Sequence, residues 1–172
     1  MNRCLILWIL GVGFCHAQMA NQPPVPQWLE LEGPQETVEV RFEQKGALLK
    51  AILLLAAEGA AEVRVNERPM AKVGPMVGGI ATSIDLTSLI KQGSNVLSIT
   101  SASPRVAARL ELNGDLAQVR WIPTDATWTS PDGKVITQGA VDADPAANPF
   151  DLKKTFDAYN SWQLAKPGAQ NQ

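Results

Sequence analysis

The feature that most constrains the fold is a side-chain period of two that recurs along the chain. Thr37-Val38-Glu39-Val40-Arg41-Phe42-Glu43 places Val38, Val40 and Phe42 on one face and Glu39 and Arg41 on the other. That alternation is the mark of a half-buried strand. It returns at Ala61-Glu62-Val63-Arg64-Val65-Asn66 and at Asn95–Thr100, where Leu97 and Ile99 share a face. It returns again at Val106–Leu112, through Val106, Ala108, Leu110 and Leu112. Trp28–Leu31, Ala81–Ile84, Leu116–Ile122 and Lys134–Thr137 are further strand candidates. Leu48–Ala57 is apolar throughout. Its composition suits a buried helix or a central strand, and its shortness and its neighbours favour the strand. Turn residues fall between these segments at Gly33-Pro34, Asn66-Glu67-Arg68-Pro69, Asn113-Gly114 and Asp132-Gly133. Residues 71–80 read as a loop.

One segment breaks the period. Asp85 precedes Leu86-Thr87-Ser88-Leu89-Ile90-Lys91, with Gly93 just beyond. An N-cap Asp, helical spacing and a glycine stop predict one or two helical turns. Seven to nine short strands with one short helix describe an all-β chain, an antiparallel β-sandwich or jelly roll over 28–138. A βαβ fold requires repeated long helices, which the pattern lacks.

The N-terminus has a different character. Met1-Asn2-Arg3 is a short positive region, Cys4 to Cys15 is an apolar run, and Cys15-His16-Ala17 sets small residues before Gln18. This is the pattern of a secretory signal peptide over 1–17. The apolar run is shorter than the roughly 20 residues a membrane-spanning helix needs. Lipoprotein processing would require a small residue before Cys15, where Phe14 stands. The expected location is secreted or periplasmic. Residues 18–27, rich in Pro and Gln, read as a flexible leader.

Cleavage after Ala17 removes Cys4, Cys15 and His16, and the sequence has no other Cys or His. A Ser-His-Asp triad, a Cys nucleophile, thiolate or imidazole zinc sites and disulfides are then excluded. No Walker pattern and no G-x-G-x-x-G is present. The formal net charge of −2 carries no nucleic-acid footprint. The carboxylate pairs Asp142/Asp144 and Asp125/Asp132 sit among Pro, Gly and Ala, where Asp serves turns. They are the residual route to a hydrolase. Asp142 and Asp144 with backbone carbonyls are also the residual route to a structural calcium. Otherwise no metal and no cofactor is expected, and the chain reads as non-catalytic.

The stretch from Val63 to Pro131 resembles the galactose-binding-like jelly roll at the N-terminus of family 2 and family 78 (rhamnosidase) glycoside hydrolases. The resemblance rests on Val63-Arg64-Val65-Asn66, on Ser83-Ile84-Asp85-Leu86-Thr87-Ser88-Leu89-Ile90-Lys91-Gln92-Gly93-Ser94-Asn95-Val96-Leu97, and on Thr124-Asp125-Ala126-Thr127-Trp128. Glu67 stands where the family usually has Gly. The resemblance implies a sandwich acting as a binding or accessory module, with carbohydrate the leading ligand class. Aromatic faces beside polar groups suit sugar rings, so Trp121, Trp128, Arg64 and Asn66 are the candidate ligand-binding residues. The competing reading of both Trp residues is burial with satisfied N–H groups. Arg64 and Arg120 also read as solvated face.

After a linker at 139–149, residues 150–172 form an aromatic tail that suits a short helix. Phe150, Phe156, Tyr159 and Trp162 crowd into it. They are candidates for binding a partner protein through an apolar face. The competing reading is that the tail covers the chain's own sheet edge.

Overall fold

The computed structural model describes residues 23–114, 119–141 and 148–151. Among them are ten strands: β1 (Trp28–Glu30), β2 (Glu36–Gln44), β3 (Leu48–Ala57), β4 (Ala61–Val65), β5 (Arg68–Val73), β6 (Thr82–Asp85), β7 (Gly93–Ser101), β8 (Arg105–Gly114), β9 (Val119–Pro123) and β10 (Thr137–Gly139). They form two antiparallel sheets. The larger runs β10-β1-β8-β3-β6, with β9 also paired to β8. The smaller runs β2-β7-β4-β5.

The period of two does what it predicts. Val38, Val40 and Phe42 of β2 and Leu97 and Ile99 of β7 meet Leu53 and Leu55 of β3 and Leu110 and Leu112 of β8 in one buried layer. Leu48–Ala57 is an interior strand of the larger sheet, between β8 and β6, buried toward this layer at Ala51, Leu53, Leu55 and Ala57. Leu86 and Trp128 complete the layer from the connections, both fully buried.

Four local expectations are corrected. The helix over 86–91 is a single turn, in which the N–H groups of Leu89 and Ile90 both donate to the Leu86 carbonyl. The chain leaves that geometry at once because Lys91 is bound elsewhere. Its N–H donates to Oδ1 of the buried Asn95 at 3.0 Å, and its carbonyl accepts from Asn95 Nδ2 at 2.7 Å. Residues 68–73, read as turn and loop, form the edge strand β5. Pro69 is tolerated there because an edge strand has donors with no ladder partner, and a register shift between Val63 and Arg64 accommodates it. Asn113-Gly114 is not a two-residue hairpin turn. Both residues extend β8, where Gly114 pairs with Leu48, and the partner of Asn113 is Val119. Finally, the leader is held down over 24–27. Gln27 N–H donates to the Thr124 carbonyl at 2.8 Å, and Pro24 offers its carbonyl to Arg109 at 3.2 Å.

The motifs behind the family resemblance hold structural positions. Asp85 Oδ1 accepts from the N–H and the hydroxyl of Thr87 at 2.9 and 2.6 Å. The Thr87 hydroxyl then accepts from Ala51 N–H at 3.0 Å, which ties the turn to β3. Asp125 makes the same pair of bonds to Thr127. Thr124, fully buried, bridges β8 and the leader: its Oγ1 accepts from Ala108 N–H and donates to the Gln27 carbonyl.

Two predictions come from these turns. Asn66 and Glu67 join β4 to β5 with φ of 51° and 68°, a left-handed pair in which glycine is favoured at the second position. Glu67→Gly should therefore raise stability by about 1 kcal/mol, read by denaturant unfolding; an unchanged or lower midpoint would contradict it. The hydrogen bonds from Thr87 hold the Asp85 carboxyl below its ordinary 3.8. Its folded value is the lower one, so the ionised form favours folding above pH 3.8 and that contribution fades as pH falls through the folded value. Thermal midpoints of the wild type and Asp85→Asn should differ at neutral pH and converge in acid. A gap that stays constant down the acid limb would refute the linkage.

Candidate ligand-binding face

The four candidate ligand residues do not form one site. Trp128 is fully buried, and its indole N–H donates to the Pro123 carbonyl at 2.9 Å. It is a core residue with no face to offer a ligand, and it loses its candidacy. Asn66 is also committed to the fold. Its Nδ2 donates to Asn95 Oδ1 at 2.9 Å and its Oδ1 accepts from Val96 N–H at 3.0 Å. These bonds lock the β4–β5 turn onto β7, so Asn66 has a structural role.

Arg64 lies on the outer face of the smaller sheet, paired within its own strand to Glu62 at 2.7 Å. Ser98 is opposite it on β7, and Glu39 is opposite Ser98 on β2. Beside them a groove of about 460 Å³ is lined by Arg41, Glu39, Lys91, Ser94 and Ser98 among others. It is a polar, ion-paired surface without an aromatic residue in its lining.

Trp121 is different. It lies half-buried on β9, directly opposite Glu111 of β8. Glu111 is opposite Ile52 of β3, and Ile52 is opposite Asp85 of β6. Their chain neighbours Ile122, Leu110, Leu53 and Ile84 all belong to the core. Alternation therefore sends the row Trp121, Glu111, Ile52, Asp85 to the outer face of the larger sheet. Arg120 is exposed, as expected of a solvated residue. It lies on the side of Leu112 and Ile122, and its guanidinium donates to the Glu43 carbonyl across the sandwich.

The rest of this outer face is covered by the chain itself. Trp28, Ala56, Ala81, Ala107, Val141 and Phe150 form a second buried cluster. Ala81 N–H donates to the Pro149 carbonyl at 2.9 Å. Phe150, expected to bind a partner, is instead 5% exposed and packs on its own sheet. Phe156, Tyr159 and Trp162 lie outside the described residues, as do Asp142 and Asp144.

Between the open row and the covered cluster sits Arg109, which the sequence reading missed. It is 2% exposed. Its Nε and Nη2 both donate to Glu111 Oε1, at 3.1 and 3.0 Å. Nη1 donates to the Pro24 carbonyl, and the guanidinium stands 5.9 Å from the Phe150 ring centroid. The signal was present: within Val106–Leu112, Arg109 and Glu111 share the face opposite the apolar residues.

The remaining carboxylates serve turns. Asp132 accepts from the Ser130 hydroxyl and pairs with Lys134 at 3.2 Å, which holds its carboxyl below the ordinary range. The same contact raises Lys134. Among the described residues no three acidic side chains come together to hold a metal ion.

No protein-family model and no curated protein sequence matches the chain. Solved structures do. An α-L-rhamnosidase from Streptomyces avermitilis, complexed with L-rhamnose, matches with a TM-score of 0.55 at 18% identity, over 77% of this chain and 14% of its own. One from Aspergillus terreus matches at 0.51 and 16%, over 62% and 16%. A lectin from Pleurotus ostreatus matches at 0.55 and 17%, over 74% and 46%, and the same lectin is also solved with GalNAc. The chain spans less than half the length of each of these proteins. What it shares with them is architecture: the galactose-binding-like β-sandwich that its sequence resembles.

Proposed function

We propose that this protein is a non-catalytic carbohydrate-binding module, secreted or periplasmic, that holds a saccharide on the outer face of its larger sheet. The observation that carries this is Trp121, half-buried on the outer face and directly opposite Glu111. A pyranose ring has an apolar face that stacks on an indole and a rim of hydroxyls that needs hydrogen-bond partners. Glu111 supplies an acceptor beside the ring, and Asn113, two residues further along β8, supplies a second polar group. The lectin with GalNAc and the rhamnosidase with L-rhamnose lend the same ligand class to this fold. The short share of the rhamnosidases that the chain matches fits an accessory part better than a catalytic one. The absence of His and Cys after His16 narrows catalysis further.

The alternative is a protein-docking module that uses the aromatic tail. It loses Phe150, which the protein's own sheet already buries.

Thermal unfolding against a panel of saccharides tests the reading. A sugar that binds the folded state at a hundredfold excess over its Kd should add about 2.7 kcal/mol of stability. Trp121→Ala should abolish that shift and leave the unliganded midpoint near that of the wild type, because the side chain is only half-buried. No shift with any saccharide would overturn the proposal.

A further inference from the structure

We infer that the ligand is a neutral saccharide gripped through adjacent hydroxyls by Glu111, with the buried Arg109 as the positioning residue for that carboxylate; this rests on the carbohydrate reading above.

Arg109 is the one charged side chain among the described residues that is buried. A buried guanidinium is costly unless its donors are satisfied. Here three parts of the chain satisfy it: Glu111 on the same strand, the Pro24 carbonyl before β1, and the Phe150 ring after β10. Because those partners fix Arg109, Arg109 fixes Glu111. Two donors hold Oε1 of Glu111, and among the described residues no donor meets Oε2. The Glu111 side chain is 24% exposed. It is therefore an oriented acceptor that reaches solvent, set opposite the Trp121 indole at cross-strand distance. A surface glutamate free to rotate loses side-chain entropy when it binds; one held by a buried arginine has lost it already.

The charge on this face selects the guest. Glu111 and Asp85 stand in one row with Ile52 between them. The Arg109 charge is directed at Glu111 and is screened from solvent by burial. Lys50, exposed on β3 opposite Asn113, acts on Asp85 and helps to hold its carboxyl down, so its charge is already shared there; an acidic sugar stacked on Trp121 would bring a second anion against Glu111. A neutral sugar brings only hydroxyl donors, which a carboxylate accepts strongly.

The test is calorimetric titration of the full chain at low salt with neutral oligosaccharides of several hexose and deoxyhexose types, and with oligogalacturonides of matched length as the anionic probe. Neutral sugar should bind about tenfold or more tightly than the uronide. Glu111→Gln keeps the shape and removes the charge; it should weaken neutral binding about tenfold and narrow the gap to the uronide. Arg109→Lys keeps the charge but not the two-donor grip, and should weaken neutral binding at temperatures well below its own thermal midpoint. A merely structural arginine would lower the midpoint and leave affinity intact. Equal binding of uronide and neutral sugar would overturn the inference while the carbohydrate reading stands, as would wild-type affinity in Glu111→Gln. Failure of every sugar to bind would overturn the carbohydrate reading itself, and this inference with it.

Discussion

Strands β3 and β8 pair over nine positions, from Leu48 against Gly114 to Ala57 against Val106. This one register sets both sides of the larger sheet. Toward the smaller sheet it aligns Ala51, Leu53, Leu55 and Ala57 with Leu112, Leu110, Ala108 and Val106. Toward the outside it aligns Ile52, Leu54 and Ala56 with Glu111, Arg109 and Ala107. A slip of one residue would drive Arg109 and Glu111 into the apolar layer, at a cost no partner there could offset. The polar pair on the outer face is thus one reason the register is unique.

The outer face cannot be left bare along its whole length, because β3 is too apolar. Leu54 and Ala56 need cover, and Trp28 adds a large aromatic beside them. The chain supplies the cover from both of its ends: residues 24–27 hydrogen-bond to Arg109 and Thr124, and Val141 and Phe150 pack over the alanines. Arg105 closes the far side, stacked 4.9 Å over Trp28 and paired with Glu30 at 3.0 Å. Covering this end of the sheet buries Arg109, and Arg109 in turn orients Glu111 at the boundary where the cover stops.

The sandwich was legible because alternation along a strand reports which residues share a face, and nearly every strand here has one apolar face. Strand β5 was hidden because edge strands do not need that pattern: Arg68, Pro69 and Lys72 are what an exposed edge tolerates. The single turn at 86–90 looked longer because Leu86, Leu89 and Ile90 have helical spacing, while the bonds that end it come from Asn95, several residues away. The site was less legible. Trp121 and Arg64 each follow an outward position, but the pattern of one strand does not say which of two outer faces it belongs to. They lie on opposite sides of the sandwich.

The contrast between Trp121 and Trp128 shows what separates a binding residue from a core residue when the sequence offers both. Each follows a polar residue, Trp121 within β9 and Trp128 in the connection that leaves it. Trp128 follows the Asp125–Thr127 turn, which folds the chain back over the open end of the sandwich and carries the indole inside, where Pro123 offers a carbonyl for its N–H. Trp121 is still in the ladder, one position from Ile122, and the pleat turns it outward. In a sandwich whose interior is filled, ligand chemistry has to be written on outer faces, by side chains that the pleat exposes and the chain's own cover does not reach. On the larger sheet that leaves the row from Trp121 to Asp85, and Trp121 is its only aromatic member.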